Sequence, residues 1–99
     1  MIFEPPYRQT IHYSQIPDLP ESSPLHRELS TYRREMPALL AAGLEGRWVL
    51  IKDDAVIGNF ASFTEAANAG LARFGPVPYL VKRIHEYEPL YRTPYSYAA

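Results

Sequence analysis

Five of the ten prolines in this 99-residue chain fall early, at Pro5, Pro6, Pro17, Pro20 and Pro24. Proline fixes φ and lacks a backbone N–H, which closes that stretch to a helix and to a central strand. Residues 1–23 are therefore expected as an extended N-terminal arm with short turns. Phe3, Tyr7, Ile11, Tyr13 and Ile16 are its available anchors. Regular structure has to come from residue 24 onward.

The pattern changes at Ser23-Pro24, where serine suits a helix N-cap and proline the first helical position. Leu25, Leu29, Tyr32, Met36, Leu39 or Leu40, and Gly43 recur at spacings of three and four, an apolar stripe on one helix face. Glu28, Arg33, Arg34 and Glu35 fall largely on the other faces. Pro37 is expected to kink or divide this helix near Glu35-Met36, because its ring clashes with the carbonyl of Arg33. Gly43 and Gly46 bracket the exit.

Residues 47–53 and 55–61 are β-branched and aromatic runs of strand length, joined at Asp53-Asp54 as a hairpin. Ser62-Phe63-Thr64-Glu65 reads as a capping box opening a second helix, with Phe63, Ala66, Ala67, Gly70, Leu71 and Phe74 on its buried face. Gly75-Pro76 stops that helix. Residues 77–85 supply a third strand. The order α-β-β-α-β over residues 24–86 predicts a small α+β domain, a three-stranded sheet with its helices packed on one face. Trp48, Ile51, Val56, Phe60, Leu71, Phe74 and Leu80 are its expected core. Residues 87–99 form a second arm, in which tyrosine alternates with Pro89 and Pro94.

Composition narrows the function. The chain has no cysteine, so disulfides, thiolate metal sites and a cysteine nucleophile are excluded, which fits a reducing cytoplasm. A formal net charge of −1 exerts no long-range pull on nucleic acid or on an anionic membrane. No stretch approaches the roughly 20 apolar residues that span a bilayer. Residues 1–7 carry two prolines and an acid where a signal peptide needs a basic start and an apolar run. A cytoplasmic protein is the expectation.

Chemistry-bearing patterns are scarce. His12, His26 and His85 lie in separate segments without metal-ligand spacing and read as surface or half-buried structural histidines. Asp53-Asp54 is a pair of adjacent acids at a hairpin tip, where both stay solvated and untuned for acid–base work. No phosphate loop, dinucleotide fingerprint, nucleophile elbow or zinc-protease motif occurs, and the five glycines are scattered. The expectation is a non-enzyme with no cofactor and no metal. Arg33, Arg34, Arg47, Lys52, Arg73, Lys82 and Arg83 make a basic patch conceivable, and Trp48 or Tyr79 a stacking platform. A small nucleic-acid-binding module is therefore the alternative.

The tyrosines carry the leading reading. Tyrosine contributes large contact area at low entropic cost and keeps a polar tip, so it is favoured at interfaces. Tyr87, Tyr91, Tyr95 and Tyr97 of the C-terminal arm, with Tyr7 and Tyr13 of the N-terminal arm, are the candidate partner-binding residues. Proline between the tyrosines lowers the cost of ordering them on a partner. The opposing reading has both arms wrapping their own domain and enlarging a thin core.

The stretch 32–84 resembles a family of short, uncharacterised bacterial proteins, a domain-of-unknown-function group. The resemblance rests on Tyr-Arg-Arg-Glu-Met-Pro-Ala-Leu-Leu (32–40), Glu-Gly-Arg-Trp-Val-Leu-Ile-Lys-Asp-Asp (45–54), Val-Ile-Gly (56–58), Ser-Phe-Thr-Glu-Ala (62–66) and Arg-Phe-Gly (73–75). These motifs are structural, so the resemblance implies a hairpin scaffold and transfers no functional residue. It also implies a small accessory protein, with a retropepsin-like aspartic protease as a partner by association. The combined expectation is a non-catalytic protein-interaction or accessory module, self-associating as a homo-oligomer or binding a larger protein, through its arms and an exposed sheet edge.

Overall fold

A computed structural model describes residues 10–89 and 96–98. Three stretches of the hairpin–helix–strand unit build its centre. Strand β2 (Trp48–Lys52) pairs antiparallel with β3 (Ala55–Phe60) on one side and with β4 (Tyr79–Arg83) on the other. The class is α+β, as the element order predicts. β6 (Ser96–Ala98) adds to the far side of β4, giving the order β3-β2-β4-β6. A second, two-stranded sheet joins β1 (Thr10–His12) to β5 (Tyr87–Pro89), so a piece of each arm pairs with the other.

The helices are α1 (His26–Ala41) and α2 (Phe63–Phe74). They do not share a face of the sheet, which corrects the one-face expectation. Leu29, Tyr32, Met36 and Leu39 of α1 pack with Val49, Ile51, Leu80 and Ile84. Ala66 of α2 packs with Leu50, Tyr79 and Val81, the residues that alternate with the first set and point the other way. The physical reason lies in the strands themselves. Val49-Leu50-Ile51 and Tyr79-Leu80-Val81 are unbroken apolar runs, buried throughout, and such runs mark strands covered on both faces. Leu71, expected in the core, is 55% exposed, and Trp48 and Phe60 are only half-buried.

α1 also departs from expectation at its start. It begins two residues after Pro24. Ser23 accepts the Leu25 N–H on its hydroxyl (3.3 Å) in the preceding turn and does not cap the helix. Pro37 does not divide it, since Tyr32 and Met36 on one side and Leu39 on the other are anchored in the same core. At the exit Gly43 takes a positive φ of 75°. Its N–H donates to Leu40 and that of Leu44 to Leu39, the paired bonds of a Schellman stop.

The hairpin closes at the Lys52–Ala55 pair, as expected around Asp53-Asp54. Leu50 faces Gly58 while Ile51 faces Val56, so Ile57 is the extra residue of a bulge. Asp53 takes a φ of 54°, unusual for a non-glycine residue. α1 stabilises it there. Its side of the turn supplies Glu28, which accepts the Asp53 N–H (2.7 Å), and Thr31, whose hydroxyl donates to the Asp53 carbonyl (2.7 Å). Arg34 donates to the carbonyl of Asp54 (2.7 Å). Glu28 is buried, though the helical pattern assigns it to an outer face.

Ser62 caps α2 by accepting the Glu65 N–H (3.1 Å), and Gly75 ends the helix at a φ of 77°. Ser62→Ala is expected to lower stability by about 1 kcal/mol in urea titrations, and Ser62→Asp to leave it nearly unchanged.

Candidate functional site

The six tyrosines expected at a partner surface do not form one patch. Tyr13 lies in the short 3₁₀ turn after β1 and packs, half-buried, against the α1-side core. Its N–H donates to the carbonyl of Glu86 (3.0 Å). Tyr87 on β5 is 56% exposed, and its ring meets His12 edge-on at 5.3 Å. Tyr97 sits in β6 opposite Leu80 of β4. Tyr7, Tyr91 and Tyr95 lie outside the described residues. His12 touches both Tyr13 and Tyr87, since it also lies 4.3 Å from the ring of Tyr13.

Next to Tyr87, β5 turns Glu88 inward, opposite Ile11 in the pairing. There the Glu88 carboxylate accepts a bond from the Lys82 ammonium (2.6 Å) and another from the Tyr32 hydroxyl (2.6 Å). All three side chains are buried, and the ammonium also sits 5.0 Å from the centre of the Tyr32 ring. The His85 N–H donates to the Tyr32 hydroxyl at 3.4 Å. The cluster joins α1, β4 and the start of the C-terminal arm. Lys82 and Glu88 are hidden in the sequence for different reasons. Lys82 reads as one of several exposed basic residues, although it alternates in step with inward-facing Leu80. Glu88 reads as part of the arm.

Burial shifts the proton affinities of this region. Desolvation lowers the Lys82 ammonium below the ordinary lysine range, opposed by the Glu88 charge. Desolvation, reinforced by Glu88, raises the Tyr32 phenol well above the ordinary tyrosine range. Perturbed groups of this kind are often catalytic. The side chains of Tyr32, Lys82 and Glu88 face the interior, at 0–2% exposure. Their arrangement acts as a lock on the arm.

Burial also lowers the His85 imidazole below its usual 6.5. Above that pH both folded and unfolded chains hold it neutral. As the pH falls through 6.5, the unfolded chain binds the proton first, so stability drops until folded His85 protonates as well. Urea midpoints measured from about pH 7.5 to about pH 5 should therefore fall more steeply for the wild type than for His85→Asn. Parallel curves would show that His85 is not a source of the slope.

The remaining histidines, the hairpin acids and Arg33 are engaged in structure. His26 Nδ1 lies 2.6 Å from the Leu19 carbonyl, and His12 caps its turn by accepting the Ser14 N–H (3.3 Å). Asp53 and Asp54 both lie 3.8 Å from Arg27 and remain exposed. Arg33 bonds to Asp18 and to the carbonyl of Ile16. Among the described residues no group of three His, Asp or Glu side chains is placed to hold a metal ion. No helix among them is long and apolar enough to cross a membrane.

Two supports of the nucleic-acid alternative are overturned. Lys82 is buried against Glu88, so it cannot meet a phosphate. Tyr79 is buried beneath α2, with its hydroxyl donating to the Ala67 carbonyl (2.9 Å), so it offers no face to a base. Trp48 is already stacked edge-on with Phe63 at 5.6 Å.

β3 is an edge of the larger sheet, and its six residues, Ala-Val-Ile-Gly-Asn-Phe, carry no charge and no proline. Its backbone bonds run to β2 alone among the described residues, and none of these pairs with its outer row of N–H and C=O groups. Arg47 donates to the Asn59 side chain (2.6 Å), which lays a guanidinium across this edge. Comparison of the chain with protein-family models, curated proteins and solved structures finds no match.

Proposed function

We propose that this chain is a non-catalytic protein-interaction module that receives an extended segment of protein along β3. The observation that supports this reading is the outer edge of that strand, unpaired among the described residues and built from six uncharged ones. Edges are ordinarily blunted by charge, proline, extreme shortness or a bulge; the residues of β3 carry no charge and no proline, and its devices are the bulge at Ile57 and the Arg47 guanidinium at Asn59. Strand addition uses backbone hydrogen bonds for affinity and alternate side chains for specificity. Tyr87, exposed beside His12, belongs to the same proposal as a second aromatic contact. The absence of cysteine favours a reducing compartment, and we place the module in the cytoplasm.

The test uses the full chain immobilised against extract from its native cell, beside Asn59→Lys, which adds a charge to the edge. A specific partner should be retained by the wild type and lost by the variant. In the purified complex, amide hydrogen exchange should slow over residues 55–60. Protection confined to other surfaces would overturn the reading.

A further inference from the structure

Resting on the proposed strand-accepting role of β3, we infer that the segment it receives is β3 of a second copy, paired antiparallel about a two-fold axis. Closed two-fold contacts are the commonest way identical chains associate, and they require a surface complementary to itself. β3 meets that requirement. An axis between Ile57 and Gly58 sets Ala55 against Phe60 of the second copy, and Val56 against its Asn59. No charged residue lies in the paired stretch, so no like charges are brought together. The bulge at Ile57 bends the strand near that axis, and the symmetry gives both copies the same bend.

The ends of the pair are complementary in charge. Beyond the paired stretch, the turn at Asp53-Asp54 of one copy comes to the end of β3 where Ala61 and Ser62 of the second copy lead into α2. Ser62 caps α2, whose first-turn N–H groups carry the positive end of the helix dipole. Arg47, lying across the edge at Asn59, brings a full positive charge to the same end. Asp53 and Asp54 are exposed at the opposite end, at 57% and 71% of their side chains, where Arg27 lies 3.8 Å from each and Lys52 lies 3.7 Å from Asp53, so Asp54 is the acid that shares only one cation. Each copy thus offers acids at one end of β3 and a cation with a helix N-terminus at the other. Antiparallel pairing matches them twice, while the two acid pairs stay at opposite ends.

Sedimentation velocity on the full chain across a concentration series should show reversible dimerisation that weakens with salt. Arg47→Glu sets an acid against Asp54 of the second copy, and Asp54→Arg sets two arginines together. Each alone should weaken association by about tenfold or more. Mixed one to one, they restore both ends as Glu–Arg and Arg–Asp, and the dimer should return as a heterodimer. Local damage to the fold would not be repaired by mixing. A wild type that stays monomeric up to about 1 mM, or variants that dimerise as the wild type does, would overturn self-pairing. A monomer that still protects residues 55–60 on a different protein would leave the strand-accepting role standing and remove only the second copy.

Discussion

Glu88→Ala should lower stability by about 3–5 kcal/mol, because it strands the Lys82 ammonium in the interior. Small domains are stable by roughly 5–15 kcal/mol, so the variant sits near the edge of folding. The reverse single change, Lys82→Met, should cost a comparable amount by leaving the Glu88 carboxylate with the Tyr32 hydroxyl but without the Lys82 charge. Removing both charges is a different matter. Lys82→Met combined with Glu88→Leu fills the same space with apolar atoms and eliminates two desolvation costs, so it should recover most or all of the loss. Urea titrations of the four proteins form a double-mutant cycle. Additive losses in that cycle would mean that the pair is not coupled and that its burial is not what holds β5. The same geometry dictates how the arm is to be tested. A truncation that removes Glu88 reports on folding, and one that begins beyond Pro89 still removes β6 from the side of β4, so the tail's binding role is tested by substitution at exposed Tyr87.

Gly70→Ala is expected to destabilise by about 2 kcal/mol, against the usual benefit of alanine in a helix. Helix propensity alone favours the alanine by about 1 kcal/mol. A Cβ at this position, however, would lie 2.6 Å from Cζ of the Tyr79 ring and 2.8 Å from Cδ1, inside any normal contact. The ring has nowhere to go. It is buried between α2 and the sheet, and its hydroxyl is tied to Ala67, three residues before Gly70. Overpacking of this kind costs about 1–3 kcal/mol and sometimes more, and with a tethered ring the clash outweighs the propensity gain. Replacing Tyr79 by leucine removes the ring. In that background Gly70→Ala should become neutral or stabilising, and a loss of about 2 kcal/mol persisting there would show that the ring is not the cause.

Much of the scaffold is legible in the sequence because its signals are local. The Ser62 cap, the Gly75 stop and the hairpin at Asp53-Asp54 each depend on residues within a few positions of one another. The placement of the helices is harder. A helical stripe shows that α1 and α2 each bury a face, but not against which side of a sheet. That choice is written in the strands, where Val49-Leu50-Ile51 lacks the alternation of a half-exposed strand. Burial of Glu28 and Thr31 is illegible for another reason, since their partner is the backbone of Asp53 across 25 and 22 positions. The Tyr32–Glu88 bond spans 56 positions, and nothing local marks that acid as an inward one. The open edge of β3 is anticipated only as an exposed edge of some strand. Its identity depends on β4 taking the other side of β2, a long-range pairing.

The distance along the chain between Lys82 and its counterion has a consequence for synthesis. A polypeptide emerges from the ribosome N-terminus first, so α1, the hairpin, α2 and β4 all become available before residue 88 does. Until that carboxylate arrives, drying the space between α1 and the sheet would trap a lone cation at several kcal/mol. The two layers therefore differ in what completes them: the α1 layer needs the carboxylate of residue 88 to neutralise its cation, while the α2 layer, with Leu50, Ala66, Tyr79 and Val81, is apolar without it.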